Sequence, residues 1–217
     1  MARETKEKIM KAALELFSKK GYLGTSMSDI AAEIGITKGA LYKHYENKQT
    51  IFDAIIEEME QLDAKWAREY GMPEDEAGEA YSFVPPDAIR EFSIAQFKRW
   101  TEDLFSSQFR KMLTLEQYRD ANMSRIYQNY LSIGPANYMK MIFCGMNISE
   151  DKSEQLALEF YGPMHFLYGI RDCTDDGEKT IRMLETHIQK FFERLVSEGL
   201  LKRDQRGKMW NLADDLH

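Results

Sequence analysis

The chain has 217 residues, 43% of them hydrophobic, and a formal charge of −7, a composition that suits a globular protein with one or two cores. No apolar run approaches the roughly 18 residues that a membrane-spanning helix needs, and no apolar signal segment follows the N-terminal Met-Ala-Arg-Glu-Thr-Lys, so we expect a cytoplasmic protein. The charge is uneven, because residues 1–50 carry nine Lys/Arg against six Asp/Glu; this favours a polyanionic partner for that region, although such an asymmetry also arises by chance.

The first two predicted helices lie in the N-terminal fifth of the chain. Apolar residues at helical spacing mark the buried face of the first helix: Ile9, Ala12, Ala13, Leu16 and Phe17. Gly21 ends this helix. Ser26 followed by Asp29 is a capping-box pattern, which predicts the start of a short second helix that ends at Gly35.

Two more helices are predicted directly afterwards. Thr37 is a suitable N-cap for a third helix, from Lys38 to about Tyr45. Asn47 caps a fourth, which extends to about Tyr70.

The remainder of the chain predicts further helices separated by short breaks. Residues 71–86 combine Gly and Pro with acidic residues and predict a loop. Gly134-Pro135 predicts a break, and Gly162-Pro163 a kink. Helices are expected from Pro86 through Leu104, and over Phe109–Leu113, Leu115–Leu131, Tyr138–Met146, Ser153–Arg171 and Gly177–Ser197. Since no segment alternates with period two, we expect an all-α fold of about nine helices without a sheet.

Two short helices joined at Gly35 have the layout of a helix-turn-helix, whose second helix can enter the DNA major groove. Gly39 and Ala40 would let the backbone approach the groove floor. Thr37 and Lys38 would supply donors at the start of the helix. The same spacing would place Leu41 and Tyr45 inward; Lys38, Tyr42, Lys43 and His44 would point outward, and Lys48 would lie near the DNA backbone. From geometry alone, a plain helical hairpin is the alternative.

The segment AALELFSKKGYLGTSMSDIAAEIGITKGALYKHYENKQTIFDAII, residues 12–56, resembles the N-terminal domain of the TetR (tetracycline repressor) family of transcription regulators. Its matching features keep the family's order and spacing: Gly24-Thr25-Ser26, Asp29-Ile30-Ala31, Gly35-Ile36-Thr37-Lys38-Gly39, Leu41-Tyr42 and Asn47-Lys48. One departure is Tyr45, where the family more often has Phe. The resemblance implies a three-helix DNA-binding domain over 1–48, a linking helix over 48–70, and a helical ligand-sensing and dimerisation domain over 71–217.

The resemblance also implies a set of DNA-contacting residues: Thr25, Ser26, Thr37, Lys38, Gly39, Ala40, Tyr42, His44 and Lys48. Asp29 would have a structural role as the cap. Tyr42 as a mere surface aromatic, and His44 as a phosphate or solvent residue, are the alternatives.

Aromatic residues and methionines are concentrated between the loop and the penultimate helix, which suggests an apolar ligand pocket. The candidates to line it are Phe97, Trp100, Phe105, Phe109, Tyr127, Tyr130, Tyr138, Met141, Tyr161, His165 and Tyr168. Core packing is the stronger alternative for any one of them. No motif in this region identifies a ligand.

By resemblance, the last two helices would pair with their copies in a second chain and form a four-helix bundle. The candidate interface residues are Leu156, Phe160, Met164, Leu167, Ile181, Leu184, Ile188, Phe191 and Leu195. Burial of the same residues within one chain is the competing interpretation.

Residues that would support catalysis or metal binding are few and scattered. Cys144 and Cys173 lack metal-ligand spacing and are expected to be reduced thiols, with a disulfide as the alternative. The four histidines are also dispersed, and no P-loop or hydrolase motif occurs. We therefore expect no enzyme, cofactor or metal, but a homodimeric transcriptional repressor released from operator DNA by a small apolar or aromatic ligand. The alternatives are a regulator that senses a protein partner, and a helical enzyme or adaptor with an incidental basic N-terminus.

Overall fold

The structure is a computed structural model that describes residues 2–73, 84–174, 176–203 and 209–211. The all-α prediction is confirmed, since helices dominate these residues. They are α1 (Ala2–Lys20), α2 (Met27–Glu33), α3 (Lys38–Tyr42), α4 (Lys48–Glu69), α5 (Pro86–Glu102), α6 (Leu104–Glu116), α7 (Ala121–Leu131), α8 (Ile133–Gly145), α9 (Glu150–Asp172) and α10 (Gly177–Ser197). Most of the predicted loop at 71–86 falls outside the described residues.

A short antiparallel ribbon that the sequence analysis did not anticipate follows α10. Its strands are β1 (Leu201–Arg203) and β2 (Met209–Asn211), with Leu201 opposite Asn211. Each strand has only three residues, which is too short for an alternating hydrophobic pattern to be recognised.

The predicted capping interactions of α2 and α3 are present. The Ser26 hydroxyl oxygen accepts the Asp29 N–H at 3.1 Å, and the Asp29 carboxylate accepts the Ser26 N–H at 2.7 Å. The Thr37 hydroxyl oxygen accepts the Ala40 N–H at 3.1 Å. α3 is shorter than predicted, because it ends at Tyr42 and not near Tyr45.

The middle of the chain differs from the prediction at two helix boundaries. A single helix over Leu115–Leu131 is wrong, because α6 ends at Glu116 and α7 begins at Ala121. Aspartate side chains set the two starts: Asp103 accepts the Ser106 N–H at 2.8 Å, and Asp120 accepts the Met123 N–H at 2.9 Å. The predicted start of α8 at Tyr138 is also wrong, since Gly134-Pro135 forms its first turn, where proline's missing N–H needs no partner.

The chain divides into two compact units. The head unit comprises residues 1–63 and 102–127, and the body unit comprises 64–101 and 128–217. The predicted domain boundaries at residues 48 and 71 stay a prediction. The head unit contains not only α1–α3 but also α6, which packs against α1.

Each unit has its own aromatic core. In the head unit, the rings of Phe17, Tyr22 and Phe52 lie within 6.5 Å of one another, centroid to centroid. In the body unit, α9 packs against α8 and α10, and Phe160 is surrounded by the rings of Phe143, His187, Phe191 and Phe192. Pro163 lies inside α9, as predicted; the kink there stays a prediction.

Candidate nucleic-acid interface

One buried side chain determines which face of α3 points outward. Leu41 is fully buried, in company with Ile30 and Ala31 of α2. Because α3 has only five residues, this single anchor orients all of them. The predicted inward position of Leu41 is therefore confirmed.

The opposite side of α3 is exposed. We give the name α3 outer face to the exposed N-cap residue and the three exposed residues of the helix: Thr37, Lys38, Gly39 and Tyr42. Tyr42 is 46% exposed, unusually open for an aromatic side chain, and the Lys38 ammonium lies 5.9 Å from the centroid of its ring. A Cβ added to Gly39 would meet nothing within 4 Å, so the backbone is open to a close approach there. Ser26 is also exposed, whereas Ala40 and His44 are half-buried.

Two of the predicted DNA contacts have their side chains engaged within the chain. Thr25 is buried, and its hydroxyl donates to the Gly21 carbonyl at 3.0 Å. The Lys48 ammonium donates to the carbonyls of Tyr22 and Thr25, the latter at 2.7 Å. Burial, together with the positive charge of Arg119, lowers the pKa of Lys48. Phosphate contacts by Thr25 and Lys48 stay predictions; in this structure both side chains organise the turn that precedes α2.

That turn is also held by residues that the sequence analysis did not identify. Buried Glu116, at the end of α6, accepts the Tyr22 N–H and an Arg119 N–H, each at 2.8 Å. The Tyr22 ring lies between two cations, with its centroid 4.1 Å from the Lys48 ammonium and 4.4 Å from the Arg119 guanidinium. Glu116 is 94 positions from Tyr22, so no local pattern could have revealed the pair.

The family comparison matches this same part of the head unit. Residues 9–55 match the model of the family described as bacterial regulatory proteins, tetR family. Residues 9–55 thus carry the sequence of a TetR-family N-terminal domain. The resemblance noted over residues 12–56 is thereby confirmed.

Two curated proteins extend the TetR match. The Biofilm operon icaADBC HTH-type negative transcriptional regulator IcaR of Staphylococcus epidermidis is 46% identical over 52 residues, which are 24% of this chain and 28% of that protein. The HTH-type transcriptional regulator AcrR of Shigella flexneri is 43% identical over 56 residues, 26% of each chain. The chain thus spans only about a quarter of these relatives' length.

One solved structure resembles the chain over much more of its length. A TetR-family transcriptional regulator from Marinobacter aquaeolei superposes with a TM-score of 0.58 and 20% identity, over 87% of this chain and 88% of that one. At this identity the likeness concerns the fold alone. The two chains therefore share a fold that extends beyond residues 9–55.

The residues predicted to line a ligand pocket are mostly packed among the helices of the chain. Phe97, Trp100, Phe109, Tyr161 and Tyr168 are buried, and they do not all belong to one unit, because Phe109 lies in the head unit. In the body unit, the rings of Phe97 and Tyr168 stack at 5.1 Å, and the Tyr161 hydroxyl donates to the Leu131 carbonyl. Phe105, Tyr127, Tyr130, Tyr138 and Met141 are half-buried, and His165 is exposed. These contacts agree with core packing, and the pocket stays a prediction.

Most of the predicted dimer residues are buried within a single chain, and the interface through them stays a prediction. Ile181 is half-buried, but the other eight are buried within a single chain: Leu156, Phe160, Met164, Leu167, Leu184, Ile188, Phe191 and Leu195. Their periodicity is that of the face between packed helices, which is the competing interpretation that the sequence left open. In the single chain these side chains pack against neighbouring helices, which agrees with that competing interpretation.

A different face of α9 is open to solvent. Leu158 is 63% exposed and Phe166 is 69% exposed. Gly162 lies between them at helical spacing, and a Cβ added there would meet nothing within 4 Å. We call Leu158, Gly162 and Phe166 the α9 outer face.

The remaining features concern metal-ligating groups, thiols and a surface groove among the described residues. Within them, no group of three or more His, Cys, Asp or Glu could hold a metal ion, and no helix is long and apolar enough to cross a bilayer. Cys144 and Cys173 are free thiols. A shallow groove of about 490 Å³ on α10 is lined by Lys179, Arg182, Met183, Thr186 and His187, none of which was predicted to line a pocket.

Proposed function

We propose that this chain is a TetR-type, sequence-specific DNA-binding transcriptional regulator, a homodimeric repressor that acts in the cytoplasm. The observation that carries the proposal is the α3 outer face. Leu41 anchors the inner side of α3, while Lys38, Gly39 and Tyr42 are left open to solvent. A cation, a phenol and an unobstructed backbone on one short helix suit the major groove and its phosphates. The curated relatives that match this segment are named as transcriptional regulators.

Selection of duplexes from a random DNA pool, followed by salt titration, tests this proposal. Wild-type protein should enrich a defined sequence, and the logarithm of its affinity should fall linearly with the logarithm of salt concentration. Lys38→Ala should weaken binding at least about 10-fold and reduce the salt slope by about 2, as expected for loss of one phosphate contact in each of two subunits. Lys43→Ala is the matched control, because Lys43 is an exposed lysine of the same segment outside the α3 outer face.

These measurements discriminate between the proposal and its rival from another class. An enzyme or adaptor with an incidental basic N-terminus would show equal, weak effects of Lys38→Ala and Lys43→Ala, and no enriched sequence. That outcome would exclude the proposed function.

The proposed dimer uses the α9 outer face and not the buried stripe. Leu158 and Phe166 supply exposed apolar area, and Gly162 allows close helix approach between them. A second copy of the chain can occupy this face, because a two-fold axis places the α9 outer faces of the two chains opposite each other. The two α3 helices would then contact half-sites about 34–36 Å apart, or a multiple of that distance. The enriched DNA should accordingly be roughly palindromic.

A small apolar or aromatic molecule is the effector that we propose for release from DNA. The support is the concentration of aromatic residues and methionines in the body unit, since apolar ligand pockets are lined by such side chains. Such a ligand would bind a conformation of the protein that binds DNA poorly. A compound library screened for increases in melting temperature, and then for release of the selected DNA, tests this. Release only by a protein fraction would favour the alternative of a protein partner.

A further inference from the structure

We propose that Glu116 is a positioning residue for DNA binding, one that holds the turn between α1 and α2 in the shape that the α3 outer face requires. The inference rests on the proposed function. It concerns a residue of α6, far along the chain from the helix-turn-helix and outside the family match at residues 9–55.

The contacts of Glu116 hold its carboxylate in one position. Its side chain is only 7% exposed, and both carboxylate oxygens are used: Oε1 accepts the Tyr22 N–H, and Oε2 accepts an Arg119 N–H. Arg119 in turn donates to Asp120, whose other oxygen accepts the Met123 N–H at the start of α7. A buried carboxylate with every oxygen paired to a donor is strongly held in place.

The backbone of the turn is built around this carboxylate. Gly21 has a φ of +73°, a backbone conformation that residues other than glycine rarely adopt. A Cβ added to Gly21 would lie 2.9 Å from Glu116 Oε1. Gly21 therefore permits both the turn and the close approach of the carboxylate to Tyr22.

Tyr22 connects Glu116 to the start of α2 through the Lys48 ammonium. Its ring lies against the Lys48 ammonium, and its carbonyl accepts a hydrogen bond from the same group. The Lys48 ammonium also binds the carbonyl of Thr25, the residue immediately before the N-cap of α2. Glu116 thus sets the turn that fixes the start of α2, and α2 packs directly against α3.

Charge alone predicts the opposite effect of losing this carboxylate. Glu116 is one of the acidic groups that repel a DNA phosphate backbone, so its neutralisation should strengthen DNA binding if attraction were all that mattered. A positioning role predicts weaker binding. The sign of the change therefore separates the two effects.

The experiment measures binding to a duplex of about 30 base pairs that wild-type protein selects from a random pool, long enough for two half-sites. Glu116→Gln should bind about 10-fold more weakly, the scale set by loss of one charged hydrogen bond. Its salt slope should also be shallower, because a displaced turn makes fewer phosphate contacts. Glu15→Gln is the control, because it removes the same charge from α1 of the head unit, where the Glu15 carboxylate pairs with exposed Lys19. This variant should bind as tightly as wild type or more so.

Two Tyr22 variants test the next step, the contact of the Tyr22 ring with the Lys48 and Arg119 cations, without changing charge. Tyr22→Phe keeps the ring between the two cations and loses only the hydroxyl bond to Gln49, so binding should stay within about 2-fold of wild type. Tyr22→Leu removes the ring and should reproduce the loss seen with Glu116→Gln. This pair decides the matter if Glu116→Gln fails to fold, as judged by circular dichroism and melting temperature.

The outcomes distinguish this inference from the proposed function. If wild-type protein shows no salt-dependent binding to any selected duplex, the proposed function is wrong. The positioning role, which rests on that function, is then also wrong. If wild type binds, but Glu116→Gln binds as tightly as Glu15→Gln with an unchanged salt slope, the positioning role alone is overturned. If Tyr22→Leu and Tyr22→Phe bind equally well, it is overturned in the same way.

Discussion

α3 in the head unit and α9 in the body unit differ in how clearly their sequences show which side faces outward. In α3 one apolar residue, Leu41, is buried, and polar or small residues surround it on the open side. In α9 apolar residues occupy both sides: Phe160 is 2% exposed, whereas Phe166 is 69% exposed. A binding surface made of polar residues on a singly anchored helix is therefore easier to recognise than an apolar surface beside an apolar core.

The largest expected effect tests the two sides of α9 directly. Phe160→Ala should lower the free energy of unfolding by about 3–5 kcal/mol, because it leaves a cavity among Phe143, Phe191 and Phe192. Phe166→Ala should change stability much less, and its effect should depend on protein concentration, because Phe166 contacts only a partner chain in our proposal. Urea denaturation at several protein concentrations measures both. Equal losses from the two variants would contradict the assignment of inner and outer sides.

A smaller effect is expected from a charge placed on the α9 outer face. Leu158→Glu should raise the dimer dissociation constant about 30-fold or more, equivalent to about 2 kcal/mol, because a carboxylate would be desolvated in an apolar interface. Leu104→Glu is the matched control, since Leu104 is 69% exposed but lies in the head unit. Sedimentation velocity gives the dissociation constants. A dimer that survives Leu158→Glu unchanged must use another surface.

Thr37 is both the N-cap of α3 and part of the α3 outer face, and substitutions can separate these two roles. Thr37→Ala should cost about 1 kcal/mol of stability, because the Ala40 N–H loses its acceptor. Thr37→Asn restores a capping oxygen and should restore stability, while still weakening DNA binding if Thr37 contacts the operator. Thermal unfolding and DNA titration of the two variants make the comparison. Full recovery of both properties in Thr37→Asn would limit Thr37 to its role as a cap.

Local chemistry explains what the sequence could predict. The starts of α2 and α3 depend on side chains three residues away from the N–H groups that they bind, Ser26 with Asp29 and Thr37 with Ala40. Such pairs are visible in a short stretch of sequence. Asp120 gives the same signal at the start of α7, and the prediction of one helix over Leu115–Leu131 did not use it.

Long-range packing explains what the sequence could not predict. The stripe from Leu156 to Leu167 has the periodicity of any buried helix face, and only the positions of α8 and α10 show that the chain itself buries it. The bond between Glu116 and Tyr22 joins residues 94 positions apart. Lys48 was predicted as a phosphate contact from its place in the motif, yet its ammonium is bound by two carbonyls of the adjacent turn.

The smallest expected effect concerns the α2 capping box, and it depends on pH. Hydrogen bonds from the Ser26 hydroxyl and N–H lower the pKa of the Asp29 carboxyl in the folded chain. Because the folded state favours the ionised form, this contribution to stability is complete above the unfolded-state pKa of about 3.9 and is lost as pH falls through the lower folded-state pKa. Asp29→Asn should therefore be less stable than wild type at pH 7, and the difference should shrink as the solution is acidified below about pH 4.

Urea denaturation of wild type and Asp29→Asn across this range measures that difference, and Glu33→Gln at the other end of α2 controls for a change of charge on the same helix. A gap between wild type and Asp29→Asn that stays constant down to the lowest pH would mean that the ionised cap does not stabilise α2. The capping interactions that make the start of α2 predictable from sequence would then not be the ones that stabilise it. The difference between α3 and α9 would have to be explained by the burial of their side chains alone.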